Sequence, residues 1–165
     1  MPVDSKKIGS TIPVRCVWGL LCSLSSIDQE RNNISLFNVI DQINLPQAAF
    51  AQQAKSKKPL VIPFSYEIVL HWRRAVNLEA LNDELGFDFR AKLIDPKGVV
   101  LGETLVTGRL EKNIVRSRFR IKTNGLLVTV PGDYLYVIEV KKDDSEEFGS
   151  VFEIPFTVRV AETIK

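Results

Sequence analysis

One stretch decides the fold of this chain: Pro131-Gly132-Asp133-Tyr134-Leu135-Tyr136-Val137-Ile138-Glu139-Val140. Pro131 fixes φ at the second position of a type II turn, and Gly132 accepts the positive φ that the third position needs. The following residues alternate, because one face carries tyrosine and aliphatic side chains while Asp133 and Glu139 mark the other as wet. A turn followed by a half-buried strand is typical of an antiparallel β-sheet.

The same alternation recurs along most of the chain, within 14–24, 34–40, 60–72, 87–93, 99–107, 115–121 and 152–160. Asp95-Pro96-Lys97-Gly98 adds a type I turn sequence. Helical propensity is confined to 45–59 and 78–85, where we expect one or two short helical turns at most. We therefore predict an all-β protein, an antiparallel β-sandwich of about eight strands that is immunoglobulin-like or C2-like. Its shared interior should contain Trp18, Phe89, Tyr136 and Phe156.

Three positions predict departures from regular strands. The alternation slips at Phe37 and Asn38, which indicates a bulge. Pro63 cannot donate a ladder hydrogen bond, so its strand is expected to lie at an edge or beside a bulge. Asn124-Gly125 favours positive φ and predicts a turn.

Length and composition indicate one ordinary folded domain. A chain of 165 residues buries enough surface for one core but little for two. Hydrophobic residues make up 45% and charged residues 25%, which argues against both a disordered and a fibrous chain. We expect residues 1–12 to be a polar N-terminal tail or edge segment and 13–165 to form a single β-sandwich domain.

Charge and cysteine content restrict the partners and the compartment. With 22 basic and 20 acidic side chains the net charge is +2, so no overall field draws the protein to nucleic acid or to an anionic membrane. Cys16 and Cys22 would lie about 20 Å apart on one strand, too far for a disulfide. Two free cysteines indicate a reducing compartment, and we predict a cytoplasmic protein without a membrane-spanning segment.

The chain resembles a family of uncharacterised prokaryotic β-sandwich proteins. The likeness is carried by Cys16-Val17-Trp18-Gly19-Leu20-Leu21-Cys22, Asn33-Ile34-Ser35-Leu36-Phe37-Asn38-Val39, the turn Asp95-Pro96-Lys97-Gly98 and the Pro-Gly-x-Tyr strand of Pro131 to Tyr134. These motifs are spread over most of the chain. The resemblance implies a fold and no activity.

Catalytic and metal-binding patterns find little support. His71 is the single histidine, and no base-orienting partner is recognisable for it. Acidic residues in predicted loops match no fixed calcium spacing, so solvated turns explain them better; they are Asp28, Glu30, Asp83, Glu84, Asp143, Asp144, Glu146 and Glu147. We predict no catalytic, cofactor or metal site.

The sharpest local signal is the basic stripe, which we define as Arg116, Arg118, Arg120 and Lys122 on one face of one strand. Like charges about 6.6 Å apart repel, so something must face them. The simpler interpretation is a neighbouring strand that offers Glu139, Glu153 or Asp88. The functional interpretation is an anionic partner, although Phe119 points to the other face and offers no base a stacking platform.

The chain contains two tryptophans that could pack in the core or stack on sugars. Trp18 and Trp72 lie on the more apolar faces of their strands, so core packing is favoured over sugar stacking.

We predict a non-enzymatic binding or accessory module, with protein as the favoured partner. A homo-oligomer is a further hypothesis, because an open sandwich leaves edge strands. One alternative is an anionic-ligand or nucleic-acid binder that uses the basic stripe; another is a hydrolase of unfamiliar type.

Overall fold

The computed structural model describes residues 11–75 and 81–162. Within these ranges the chain forms nine strands and one helix. In chain order these elements are β1 (Val14–Asp28), β2 (Asn33–Val39), β3 (Gln42–Leu45), α1 (Gln47–Ser56), β4 (Leu60–Arg74), β5 (Leu85–Ile94), β6 (Val100–Leu110), β7 (Arg116–Val128), β8 (Gly132–Lys141) and β9 (Phe148–Val160). The all-β prediction is confirmed, and the number of strands is close to the expected eight.

The strands form two sheets. Sheet A has the order β2-β1-β4-β7, and sheet B has the order β3-β9-β8-β5-β6. The expectation of purely antiparallel pairing is wrong at one place, because the short strand β3 pairs in parallel with β9. Sheet B is therefore mixed. Each sheet has two edge strands, β2 and β7 in sheet A and β3 and β6 in sheet B.

Helix α1 is longer than the predicted one or two turns, since its ten residues make nearly three. Pro46 occupies the N-cap position, and Lys57 ends the helix in the left-handed region with φ 56. Phe50 is the one buried residue of the helix. The predicted helix around 78–85 falls partly on residues outside the described ranges, and β5 begins at Leu85.

The core lies between the sheets, which face each other through aromatic contacts. Trp72 of β4 meets Phe87 and Phe89 of β5, with ring centroids 5.3 and 5.0 Å apart. Further along β4, the hydroxyl of Tyr66 is hydrogen-bonded to the hydroxyl of Tyr136 in β8. Rings from opposite sheets thus interdigitate, as a two-layer β-structure requires.

Trp18 is the exception among the four aromatic residues expected to share this interior. Phe89, Tyr136 and Phe156 belong to the buried core, whereas Trp18 does not. A bulge at Val17 causes the difference, since Cys16 pairs with Trp72 but Trp18 pairs with His71. The extra residue shifts the alternation that follows it, and Trp18 therefore packs edge-on against His71 outside the buried core.

Only one of the three predicted irregularities has an expected form. Asn38 has φ 50, yet β1 and β2 keep one register through it, so the predicted bulge is wrong. Pro63 lies beside a register shift between β4 and β7, as one of the two expected alternatives. Gly125 has φ 83 at the same shift, so the predicted turn is wrong there and β7 continues to Val128.

The stretch that indicated the fold contains the expected strand, β8, but the predicted type II turn is wrong, because Gly132 already belongs to β8 and its φ lies far above the value of about 80 that the third turn position needs. Gly132 has φ 143, and a side chain there would place a Cβ 2.8 Å from Cγ of Pro96. The hydroxyl of Tyr134 donates to the carbonyl of Val130 at 2.7 Å and accepts the N–H of Thr129 at 2.9 Å. This tyrosine therefore closes the loop that links the two sheets.

Candidate functional site

The basic stripe lies on the outer face of sheet A, along the edge strand β7. Phe119, between Arg118 and Arg120, points inward and packs against Phe87 and Phe89 with centroids 5.8 and 5.9 Å apart. The predicted separation of apolar and cationic faces is therefore confirmed. Because β7 has β4 on one side only, its cations have room to reach across the sheet or into solvent.

The carboxylates expected opposite the basic stripe are elsewhere, so that pairing is wrong. Glu139, Glu153 and Asp88 belong to sheet B. Glu139 forms an ion pair with Lys92 at 2.9 Å and a second one with Arg90. Alternation identified the face of each residue, but it could not identify the sheet.

Two of the four cations instead bind the β1–β2 hairpin. Arg118 Nη2 donates to the carbonyl of Asn32 at 2.6 Å and also to the Asn32 side-chain oxygen. Arg120 Nη1 lies 3.4 Å from the carbonyl of Ser25. Since β4 lies between β7 and β1, both side chains cross the whole width of β4. Backbone carbonyls thus offset part of the positive charge that carboxylates were expected to offset.

The conformation of the β1–β2 turn places the carbonyl of Asn32 within reach of Arg118. The Asp28 carboxylate accepts the N–H groups of Glu30 and Arg31 at 2.9 and 3.2 Å, which closes the turn. Asn32 follows with φ 54, a left-handed conformation that asparagine tolerates better than most residues. Its carbonyl is thereby presented to Arg118.

The crossing of β4 explains an unusual burial pattern. Val69 lies opposite Arg120 on the outer face, yet it is 0% exposed. The aliphatic stem of Arg120 has to pass over Val69 to reach Ser25, so the arginine shields an apolar residue while its head stays polar. Lys122 lies opposite Glu67, whose carboxylate accepts a hydrogen bond from the Ser25 hydroxyl.

A cleft of about 540 Å³ lies at the N-terminal end of β7, and we call it the arginine cleft. Its walls come from β1, β4, β6, β7 and the loops that follow β1 and β6. They consist of Ile27, Asn32, His71, Arg109, Glu111, Ile114, Arg116, Ser117 and Arg118. Three guanidinium groups and one carboxylate therefore line one concave surface. Arg109 is also paired with Glu84 at 3.4 Å, with both side chains largely exposed.

Arg116, Glu111 and His71 have unused side-chain hydrogen-bonding capacity in the arginine cleft. Within 11–75 and 81–162, the side chains of Arg116 and Glu111 make no hydrogen bond or ion pair. Nδ1 of His71 is buried and has no partner among the same residues. Burial lowers the pKa of His71, and Arg118 and Arg116 lower it further. The imidazole is therefore neutral near pH 7 and adds no repulsion of its own.

A larger cleft, of about 1000 Å³, lies beside Arg74 and is lined in part by residues 11–16. The guanidinium of Arg74 already makes structural hydrogen bonds, because it donates to the carbonyls of Ile114 and Asp83, both at 2.8 Å. Residues 76–80, which adjoin Arg74 in sequence, lie outside the described ranges. Arg74 is best understood as a structural link between loops.

The cysteines and acidic loops have structural surroundings. Cys16 and Cys22 are both free thiols. Burial raises the pKa of Cys16 to about 12 and also raises that of Cys22, so neither is prepared for nucleophilic attack. Acidic loop residues pair with lysines in the β8–β9 turn, Glu146 with Lys141 and Glu147 with Lys142.

Sequence reasoning found two residues of the arginine cleft as cations and missed its other walls. Arg118 and Asn32 are separated by 86 residues, so no local pattern links them. Arg109 comes from the end of β6, in the opposite sheet, and Glu111 from the loop that follows β6. In the part of the chain that the structure describes, no helix is long and apolar enough to cross a membrane.

No protein-family model matches the chain, and neither does any curated protein. Among solved structures, the alkylpurine DNA glycosylase AlkC of Pseudomonas fluorescens, bound to DNA with an abasic-site analogue, has a TM-score of 0.45 and 8% identity; the match covers 90% of this chain and 31% of that one. A family 123 glycoside hydrolase from Clostridium perfringens has a TM-score of 0.38 and 14% identity, over 86% of this chain and 28% of that one. The chain thus spans about a third of the length of each. Scores below 0.5 indicate no shared function.

Proposed function

We propose that this protein is a non-enzymatic binding module that holds an anionic group in the arginine cleft. The observation that carries the proposal is the convergence of Arg109, Arg116 and Arg118, from two sheets, on one concave surface beside a neutral His71. Guanidinium groups bind oxyanions through paired N–H donors, and several such groups in one cleft add geometric selectivity.

In this proposal, the basic stripe binds an anion only at its Arg116 and Arg118 end and not along its whole length. Arg120 is directed to the Ser25 carbonyl, and Lys122 lies opposite Glu67. An extended nucleic acid would need cations available along the whole strand, with aromatic rings between them. A nucleic-acid partner therefore becomes the less favoured form of the anion-binding hypothesis.

The test compares two cations of the same strand. We expect inorganic phosphate to raise the melting temperature of the protein, and we expect the effect to weaken steeply as salt increases. Arg116→Ser should weaken phosphate binding about tenfold or more, because it removes a charge-assisted pair of donors. Lys122→Ser, at the far end of the basic stripe, is the matched control and should leave binding nearly unchanged. Equal effects of the two variants would refute the site.

The non-enzymatic part of this proposal is supported by His71. Among the described residues no group accepts or donates at its Nδ1, so no acid orients the ring as hydrolytic catalysis requires. The hydrolase alternative would be revived by turnover of a chromogenic ester that His71→Gln abolishes.

The free thiols of Cys16 and Cys22 support a reducing compartment such as the cytoplasm. We further propose that the fold is a β-sandwich of the immunoglobulin-like or C2-like class, on the basis of its two facing sheets.

A second candidate function is self-association through β2. This edge strand contains no charged residue, and it has exposed apolar side chains next to an exposed leucine of β1. Leu24 pairs with Phe37 and Cys22 with Val39, and Leu24, Phe37 and Val39 are 54%, 48% and 56% exposed. An uncharged open edge with apolar side chains invites pairing with another strand, and two copies of a neutral strand do not repel.

Self-association is tested by placing one charge on this edge. Ser35→Lys should convert a concentration-dependent dimer into a monomer without a large loss of stability. Thr104→Lys, on the exposed edge strand β6, is the control. A light-scattering mass of one chain for the unmodified protein at all concentrations would remove this candidate.

A further inference from the structure

We infer that the natural ligand of the arginine cleft is a phosphate monoester carried on a small hydroxylated body, of the sugar-phosphate type. This inference rests on the anion-binding function proposed above and specifies its ligand. The features that carry it are the charge of the lining, the position of one carboxylate, and the size of the cleft relative to a single phosphate.

The charge of the lining favours one anionic group over several. Three arginines and one glutamate line the cleft, a sum of two positive charges, and the exposed Glu84 outside the lining pairs with Arg109 at 3.4 Å and lowers the local positive charge further. A phosphate monoester carries close to two negative charges at neutral pH and has three terminal oxygens. Arg116 and Arg118 are on the same face of β7, about 6.6 Å apart, so they can approach one phosphate from two sides.

Glu111 discriminates against a second phosphate. Its side chain makes no hydrogen bond or ion pair within the described ranges, although its backbone carbonyl accepts a hydrogen bond from Arg74 at 2.8 Å. A carboxylate in the wall repels further anions but accepts hydrogen bonds from hydroxyl groups. The ligand body beyond the phosphate is therefore neutral and carries hydroxyls.

The volume of the cleft requires such a body. About 540 Å³ is within the range of pockets that enclose whole small molecules, and far more than one phosphate occupies. Ile27 and Ile114 provide apolar surface for carbon atoms, and Ser117 provides a further hydroxyl. A linear polyphosphate would place repeated charges against Glu111 and would gain nothing from the apolar walls.

Binding should also be coupled to the protonation of His71. The charged groups around this imidazole are Arg116 and Arg118 from β7, Arg73 two residues along β4, Arg109 at the end of β6 and Glu111 just after β6. Trp18 from β1 packs on its ring. A dianion beside the ring partly cancels the field of the arginines and favours the protonated imidazole. The ligand is therefore expected to raise the midpoint of the His71 titration, which NMR follows directly because the chain has one histidine.

The test is a calorimetric titration with fructose monophosphate, fructose bisphosphate, inorganic phosphate and polyphosphate. We expect the monophosphate to bind about tenfold or more tightly than inorganic phosphate, and the bisphosphate to bind more weakly than the monophosphate. Glu111→Gln should improve binding of the bisphosphate relative to the monophosphate by about tenfold. Arg116→Ser should weaken both, and Lys122→Ser neither.

The outcomes separate the inference from the function on which it rests. If phosphate and polyphosphate bind through Arg116 but the sugar phosphate binds no tighter, the inference is overturned and the anion-binding function stands. A bisphosphate preference that Glu111→Gln does not alter would also overturn it. If none of the four anions binds the unmodified protein, both the inference and the proposed function are refuted.

Discussion

The two edge strands of sheet A differ in charge: β7 is strongly cationic, whereas β2 is neutral. β7 carries four cations on its outer face, and two of them are tied back to the β1–β2 hairpin. β2 carries no charge and leaves Phe37 and Val39 exposed. Charge on an edge strand discourages pairing with other chains, whereas a neutral apolar edge allows it. The comparison teaches that the two edges of one sheet can differ in charge and in exposed apolar surface, and therefore in the kind of surface that each can contact.

The largest difference expected between the two edges lies in how deeply their aliphatic side chains are buried. Ile121 of β7 belongs to the buried core, whereas Leu36 of β2 is half-buried and lies outside it. Ile121→Ala should lower the free energy of unfolding by about 2–4 kcal/mol because it leaves a cavity in the core. Leu36→Ala should lower it by less than about 1 kcal/mol. Urea denaturation measures both, and equal losses would mean that β2 is anchored as firmly as β7.

The backbone supplies a second contrast, since each edge has one residue with positive φ. At Gly125 of β7 an added Cβ would lie 3.0 Å from Val61 Cγ1, and φ is 83. Gly125→Ala should therefore destabilise the protein by about 1–2 kcal/mol. Asn38→Gly on β2 should change stability by less than about 0.5 kcal/mol, because glycine adopts the same conformation and the site is exposed. Thermal unfolding of both variants would decide, and a larger loss at Asn38 would contradict the expectation.

The contact between the β1–β2 hairpin and β7 is tested by two neighbouring arginines. Arg118→Ala removes the hydrogen bonds to Asn32 and should lower the free energy of unfolding by about 1 kcal/mol. It should also speed hydrogen exchange in the hairpin. Arg116→Ala, on the same face but without such bonds, should change stability by less than about 0.5 kcal/mol. If both variants leave hairpin exchange unchanged, Arg118 does not hold the hairpin.

The smallest expected effect concerns pH. The pKa of His71 is lowered in the folded protein, by burial first and by Arg118 and Arg116 next. Below the ordinary pKa of about 6.5 the unfolded chain therefore binds a proton that the folded chain resists, so stability falls as pH falls through this range. His71→Gln should remove this part of the pH dependence. Arg116→Ala should raise the pKa of His71, measured from its ring resonances; an unchanged pKa would place Arg116 too far away to matter.

Much of the fold could be predicted, because alternation reports on burial one strand at a time. The strand that includes Phe89, the face of Phe119 and the turn at Gly98 were all predicted correctly. The errors occur where one residue changes the register. The bulge at Val17 turned Trp18 outward, and the local preference of Gly125 for positive φ produced a shift in β7 and no turn.

The arginine cleft was predictable only in part. Arg116 and Arg118 were identified because four cations in alternation are visible in one strand. Asn32, Arg109 and Glu111 were not, since they come from separate elements that the chain brings together only on folding. The expected role of Glu139 failed for the same reason, because a residue's face does not identify its sheet.

The amino-acid sequence by itself determined that this protein is a β-structure, where most strands run, and which side chains of each strand face apart. Those properties follow from the two-residue period of a strand and from turn residues, which act over a few positions. The tertiary structure alone decided that β7 is an edge, that Arg118 reaches Asn32, and that three arginines share a cleft with Glu111. The physical reason is that pairing between distant strands sets these distances, and no local pattern encodes which strands become neighbours.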